Sequence, residues 1–377
     1  LHLSLRRQRQ MCIRDRFIVH SSKLNLLEES EGETSFFSQP SRLYYAYRSE
    51  LFVYLKHKKW KKLFGFPPRK PESKITEEYM NLSYAIQNVL EEIVFKMAKF
   101  LKSISGEKYL TISGGVGLNG VANGKLLKER VFEDIWVQPA ATDAGGALGA
   151  AYAVWYIYLN KKRVVNGKDS MKGALLGPSF SSEDIEKVLK KYNAVYEKME
   201  FEQLIKKIAG YIAEGKVVGW FRGRMEFGPR ALGNRSVLSL PNEKEVVDEL
   251  NKRKRRPWWQ PFAPTVLYER ADEYLMDACY APFMTIAFRV TERALEEIPA
   301  VIHVDGTTRP QTIKRDECRE YRHIIEIVEK ETGLGAILNT SMNIHGEPIV
   351  CSPSDAIKTY KEGLMDYLAI GKYLLRK

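Results

Sequence analysis

The sequence predicts an α/β protein built in two parts, and three observations carry that expectation. Between Lys108 and Leu159, short apolar runs that read as buried strands alternate with helical stretches, the pattern of a layered α/β fold. The alternation resumes after Ser181. The segments richest in glycine and arginine fall at predicted strand ends, where a loop is free to meet a ligand.

Composition bounds the class. The chain has 377 residues, enough for two domains, and its 44% hydrophobic and 28% charged residues are those of a soluble globular protein. The apolar run Gly145–Leu159 is too short to span a bilayer. Cys12, Cys279, Cys318 and Cys351 show no CxxC spacing, which argues against a zinc site or a disulfide framework and favours a reducing, cytoplasmic setting. Residues 1–16 hold five arginines and one aspartate, lack an apolar period and have no signal-peptide core. They are expected to be an artefactual or disordered extension. Setting aside their charge of +4 leaves +8 of the chain's +12, suited to anionic small ligands as well as to nucleic acid.

The elements follow in order. Residues 36–66 are aromatic and then basic; the run Lys56–Lys62 reads as the solvated face of a helix, with a grip on a phosphate backbone as the alternative. Pro67, Pro68 and Pro71 break the chain. Apolar residues from Tyr79 to Met97 recur at helical spacing and predict a long amphipathic helix over 76–102. A strand is expected at 108–113, a helix at 121–130 and a strand at 134–140. Thr142 or Asp143 then caps a tightly packed helix, and the polar residues 161–173 form a linker. In the second part helices are expected at 181–192, 201–215 and 316–332, with strands at 216–221, 282–290, 303–313 and 335–341.

Several loops could carry chemistry. "RGRMEFGPRALGNRS" holds Arg222, Arg224, Arg230 and Arg235, whose planar forks suit phosphate oxygens, although a basic surface loop is the plainer reading. "SGGVGLNG" places Gly114, Gly115 and Asn119 before a helix, so its amides could hold an anion or simply form a turn. Asp143 is either a helix cap or a lone metal ligand, because the six histidines form no HxH, HxxH or HxxxH pair. "QPFAP" follows the basic run 251–256, His303, Asp305 and Arg309 lie within seven positions, and "LNTSMNIHGEPIV" brings Asn339, Thr340, Ser341 and Asn343 past a strand. No Ser-His-Asp or Cys-His spacing appears. Positioning and charge neutralisation, as in nucleotidyl or phosphoryl chemistry, are therefore favoured over a covalent intermediate.

The segments "GRMEFGPRALGNRSVL", "QPFAPTVL", "PFM", "IPAVIHVDGTTRPQTI" and "LNTSMNIHGEPIVCSPSDAI" resemble, in that order, the C-terminal domain of the O-carbamoyltransferases of nodulation-factor and antibiotic tailoring. "LTISGGVGLNGVANGKL" and "VQPAATDAGGALGAAYA" resemble the end of that family's N-terminal domain. The likeness covers residues 76–377. It implies that residues 17–160 are the C-terminal half of an actin/hexokinase-like (ASKHA) carbamoyl-transfer domain. Residues 174–377 would be an α/β domain similar to the carbamoyl-adenylate-forming (YrdC-like) fold. The implied reaction joins ATP and carbamoyl phosphate into carbamoyl adenylate, with Mg²⁺. It then passes the carbamoyl group to a hydroxyl of a small molecule or sugar, helped by a divalent metal, iron by expectation.

Carried over by position, the resemblance makes Arg224, Arg230 and Ser341 catalytic. It places Arg235, Lys254, Arg255, His303, Arg309, Asn339, Asn343, Gly114, Gly115 and Asn119 around substrate and nucleotide, and Asp143 on the metal. Two departures stand out. The stretch before Pro261 lacks the family's acid, and the family's metal-binding histidines, in the first half of its N-terminal domain, have no counterpart here, so the chain reads as part of a longer enzyme. No membrane and no nucleic acid are expected as partners, and a homodimer is within expectation. Two other readings stay open: a tRNA-modifying relative that uses carbamoyl adenylate, and a truncated nucleotide-binding module without activity.

Overall fold

The computed structural model describes residues 58–70, 73–165 and 169–376. The expectation for residues 1–16 and the start of the basic run at Lys56 lie outside them. By its contacts the chain divides into two compact units, one ending at Lys108 and one running on from Tyr109.

In the first unit, α1 (Lys58–Phe64) precedes α2 (Glu77–Ser105). Glu77 and Glu78 in the first turn suit the helix dipole, and Gly106 closes the helix in the left-handed region at φ 67°. The proline segment folds back on the start of α2: Tyr79 donates its hydroxyl to Pro67 O at 2.9 Å, and its ring meets Phe66 edge-on at 5.2 Å. Val94 is buried, but Ile86, Val89 and Ile93 of the predicted stripe are exposed.

The second unit opens with β1 (Tyr109–Ile112), α3 (Gly120–Lys128), β2 (Asp134–Val137) and α4 (Asp143–Ala153). β1 and β2 pair in parallel around the crossover helix α3. α4 departs from expectation. The sequence predicts a tightly packed helix, yet none of its side chains is buried, and Trp155, Ile157 and Tyr158 in the turn beyond it are exposed. High Ala and Gly content reports how closely a helix can be approached, and here only Gly145 is approached, by Ala140 O.

The remainder comprises α5 (Ser182–Lys191), β3 (Tyr196–Lys198), α6 (Phe201–Ala213), β4 (Val218–Phe221), β5 (Arg235–Ser239), α7 (Glu245–Arg253), β6 (Ala263–Leu267) and α8 (Ala271–Tyr274). After these come β7 (Phe288–Arg289), α9 (Glu292–Glu297), β8 (Thr307–Thr308), β9 (Gln311–Ile313), α10 (Arg319–Thr332), β10 (Ala336–Ser341), α11 (Pro353–Lys361), β11 (Tyr367–Ile370) and β12 (Tyr373–Arg376). Eight strands form one mixed sheet in the order β3-β12-β11-β4-β5-β10-β6-β9. β11–β4 and β6–β9 are its parallel pairs, and the other neighbours are antiparallel. The fold is thus mixed α/β, as the sequence predicts.

Helices α6 and α10 pack together on one face of this sheet, where Leu204, Ile208, Ile212, Ile324, Ile325 and Val328 meet Val218, Trp220, Leu238 and Ile337. α5 and α11 both start with a serine capping box, Ser181 with Asp184 and Ser352 with Asp355.

The β1–α4 segment is locked onto the large sheet's side of the unit through α3. Gly120 O accepts from Ala287 N at 2.9 Å, and Asn123 Nδ2 donates to Thr285 O at 2.8 Å. Gly124 lies so close that a Cβ there would stand 1.9 Å from Ala287 O. A backbone oxygen cannot yield as a side-chain tip can. Gly124→Ala is therefore expected to cost about 3 kcal/mol of stability, read by denaturant unfolding. An unchanged midpoint would mean that α3 does not dock here.

Candidate active site

β4 and β5 are sheet neighbours, and the arginine loop, residues 222–234, connects them. One buried carboxylate organises it. Glu226 Oε1 accepts from the amides of Leu232 at 2.7 Å, Asn234 at 2.8 Å and Arg235 at 3.2 Å. Gly233, at φ 102°, sits so tightly under the Tyr321 ring that no side chain fits.

This folding distributes the four arginines differently. Arg230 alone lines a cavity of about 230 Å³, shared with Lys254, Arg256, Arg309, Asn339 and Ser341. Gln260, Thr340, Asn343 and His345 complete its polar wall, and no aspartate or glutamate lines it. The wall is built from loop ends. Lys254 follows α7, and its Nζ donates to Ser341 O, to Asn343 O at 2.9 Å and to Asn343 Oδ1 at 3.2 Å. Ser341 donates its hydroxyl to Asn343 Oδ1 at 2.6 Å, which joins the end of β10 to the following turn. Arg309 donates to Met284 O at 2.8 Å. Arg256 donates to Gln260 Oε1 at 2.6 Å and lies over the Phe262 ring at 4.6 Å.

The electrostatics are those of a site lacking its counter-charge. Burial pushes Arg230 and Arg256 down to about 10. It pushes Arg309 well below the usual arginine range, helped by the charges of Arg230 and Arg256. Burial, and then the charge of Arg256, bring Lys254 down to about 7. Two buried polar atoms in the same lining, Arg230 Nε and Asn339 Oδ1, have no partner among the described residues. Each such orphan costs roughly 1–3 kcal/mol. Crowded cations and unpaired polar atoms are both relieved by an anionic ligand.

A pH dependence follows. Empty, the site lets Lys254 lose its proton near pH 7, whereas the unfolded chain holds that proton to about 10.5. Stability of the empty chain should therefore rise with pH across that window, since the unfolded state binds more protons. A bound anion keeps Lys254 charged, so binding above pH 7 takes up a proton. Affinity for sulfate, whose charge is constant there, is expected to fall by up to about tenfold per pH unit from about pH 7 to 9. A flat calorimetric profile would contradict this.

Other expected site residues lie elsewhere. Arg224 is exposed, donates to Leu176 O at 2.9 Å and lines a separate cavity of about 360 Å³ with Lys172, Arg222 and Arg319. Arg235 is fully buried in β5. The two terminal nitrogens of its guanidinium donate to the carbonyls of Arg222, Gly223, Asn234 and Pro178, and the group stacks 3.7 Å from the Phe221 ring, so these donors are spent on the fold while its Nε has no partner among the described residues. Arg255 takes φ 54°, which turns it outward to Glu362 at 3.3 Å. His303 lies outside the cavity lining and bonds Thr307 Oγ1 at 3.1 Å; burial, and then the charge of Arg309, lower its pKa. Asn119 caps α3 by accepting from Ala122 N at 3.1 Å, and Gly114 and Gly115 form the turn before it. Asp143 is exposed in the first turn of α4, and no cluster of three His, Cys, Asp or Glu side chains lies among the described residues. Asp143 alone does not fit the expected divalent metal, whose site takes three or more protein ligands.

Arg256 and His345 were not singled out by sequence reasoning, although both stand inside segments that were. For Arg256 the available signal was the following Gln260 and Pro261, to which its guanidinium is tied.

Fold and site define an α/β protein with a cavity walled by Arg230, Lys254, Arg256 and Arg309. The chain belongs to the carbamoyltransferase family: the carbamoyltransferase N-terminus model matches residues 21–152 and the C-terminus model residues 209–377. It is 41% identical over 344 residues to an uncharacterized protein of Synechocystis sp., covering 85% of this chain and 56% of that one. It is 40% identical over 307 residues to nodulation protein NolNO of Sinorhizobium fredii, covering 80% and 45%. The chain thus spans about half the length of the curated relatives it matches. A solved structure of P. abyssi Sua5 complexed with L-threonine aligns with a TM-score of 0.35 at 17% identity, over 46% of this chain and 48% of that one. No helix among the described residues is long and apolar enough to cross a membrane.

Proposed function

We propose that the cavity binds carbamoyl phosphate and ATP and forms carbamoyl adenylate, the first half of an ATP-dependent O-carbamoyl transfer. The observation that carries this reading is the set of four cations, Arg230, Lys254, Arg256 and Arg309, around one cavity with no carboxylate in its lining. The atoms balance with one water taken up: a carbamoyl oxygen ends on the α-phosphorus, pyrophosphate leaves, and the phosphate of carbamoyl phosphate is released. No nucleophilic side chain is required. The arginines hold two anions together and absorb charge that moves between phosphoryl oxygens. Mg²⁺ enters on the ATP phosphates, since the lining has no acid to hold it.

In this reading residues 174–377 are the carbamoyl-adenylate-forming, YrdC-like part, and residues 17–160 belong to an actin/hexokinase-like domain whose Gly114, Gly115 and Asn119 loop meets nucleotide. The complete protein transfers the carbamoyl group to a hydroxyl of a small molecule or sugar in the cytoplasm. The test is pyrophosphate release from ATP by the full chain, with and without carbamoyl phosphate. Release that requires carbamoyl phosphate and is unchanged in Asp143→Ala is expected. Release independent of carbamoyl phosphate, or lost in Asp143→Ala, would overturn the reading.

A further inference from the structure

We infer that Asn339 is the specificity determinant of this cavity: its Oδ1 accepts an N–H from the carbamoyl –NH2 and thereby separates carbamoyl phosphate from isosteric acyl phosphates. The inference rests on the carbamoyl phosphate reading above and adds to it the atom that tells an amide from a methyl.

The orientation of the Asn339 amide is dictated by its neighbours. Asn339 is 2% exposed, and its Nδ2 faces Ala231 O at 3.1 Å, Thr265 Oγ1 at 3.1 Å and Gln311 Oε1 at 3.3 Å. Ala231 O is a main-chain carbonyl and can only accept. Gln311 is fixed in the same way, because its Nε2 donates to Leu232 O at 3.0 Å and so turns Oε1 toward Thr265 and Asn339. Thr265 gives its one proton to Gln311 Oε1 at 3.0 Å and accepts from the Tyr321 hydroxyl at 2.8 Å. Reversing the Asn339 amide would set its oxygen against two oxygens that have no proton to offer.

Strand register places this network. Thr265 and Gln311 are partners in the parallel pair β6–β9, and Asn339 lies two positions beyond Ile337, the partner of Thr265 in β10. The three polar side chains therefore share one sheet face.

What remains is an acceptor without a donor. Asn339 Oδ1 is buried and unpaired, in a lining that also holds four cationic donors suited to phosphate. Arg230 Nε is the matching orphan donor. A carbamoyl group offers an oxygen to the one and an N–H to the other. Acetyl phosphate has the same shape but puts a methyl against Oδ1, and a site built to hydrogen-bond a substrate N–H rejects the analogue that lacks it. The same amides bind Ala231 O and Leu232 O, the two carbonyls that follow Arg230, so specificity and placement of the arginine share one set of bonds.

The experiment is calorimetric titration of the full chain with carbamoyl phosphate, acetyl phosphate and inorganic phosphate. The parent is expected to favour carbamoyl over acetyl phosphate by at least about tenfold. Asn339→Leu, close in shape, is expected to bring that ratio to within about twofold. Thr265→Val, which takes away the tether on Nδ2, should lower the ratio, and Thr265→Ser, which restores the hydroxyl, should keep it. These two serve if the leucine variant does not fold. A parent that binds both acyl phosphates equally, or a ratio that survives Asn339→Leu or Thr265→Val, overturns the inference and leaves the anion cavity standing. Failure to bind any of the three anions overturns the underlying reading instead.

Discussion

Arg230→Ala is expected to weaken carbamoyl phosphate binding by at least about thirtyfold and to leave the empty chain no less stable. Removing a buried, charge-assisted phosphate contact costs roughly 2–4 kcal/mol. The Nε of Arg230 is unpaired among the described residues, and its charge adds to the burden on Arg309. Without ligand it is a liability, so truncation relieves repulsion while removing function, the trade expected of a group held for binding. Calorimetry and thermal unfolding on the same variant separate the two effects. Lost stability with retained binding would make Arg230 a structural residue and contradict the account.

The second large effect belongs to Glu226. It is buried, and its Oε1 holds three main-chain amides of the loop that carries Arg230. It also provides a counter-charge for Arg235, whose donors hold the other side of that loop. Glu226→Ala leaves those amides unpaired and Arg235 uncompensated, with an expected loss of about 3–5 kcal/mol. Glu226→Gln keeps an acceptor of the same shape and should cost less, about 1–2 kcal/mol. Denaturant unfolding of both variants checks the order. Equal losses would mean that the acceptor geometry is not what Glu226 supplies.

The elements that could be read in the sequence are those with a local physical cause. The helix after Ser181 announces itself through Ser181 and Asp184, and the strand 218–221 through an unbroken apolar run. The same serine signal stands at Ser352 and Asp355, but that stretch read as a motif and α11 went unrecognised. The run 282–290 misled in the other direction. It is apolar enough for a strand, yet only Phe288 and Arg289 pair as one, because Met284 takes φ 54° and Thr285 and Ala287 spend their main-chain groups on α3.

The site shows the same limit. Arg230, Lys254, Arg309, Asn339, Ser341 and Asn343 come together, which residue type and strand-end position suggest. Arg235 does not join them, because an arginine's fork is satisfied as well by a ring of carbonyls as by a phosphate, and sequence does not distinguish the two. Between Arg255 and Arg256 the choice turns on a single left-handed residue, which a charge pattern does not reveal.

The most direct test of the central claim is a crystal structure of the full chain with carbamoyl phosphate bound. The account predicts its phosphate within hydrogen-bond distance of Arg230 and Arg309 and its amide nitrogen against Asn339 Oδ1. An anion found instead between Arg224 and Arg319, with the Arg230 cavity empty, would contradict it.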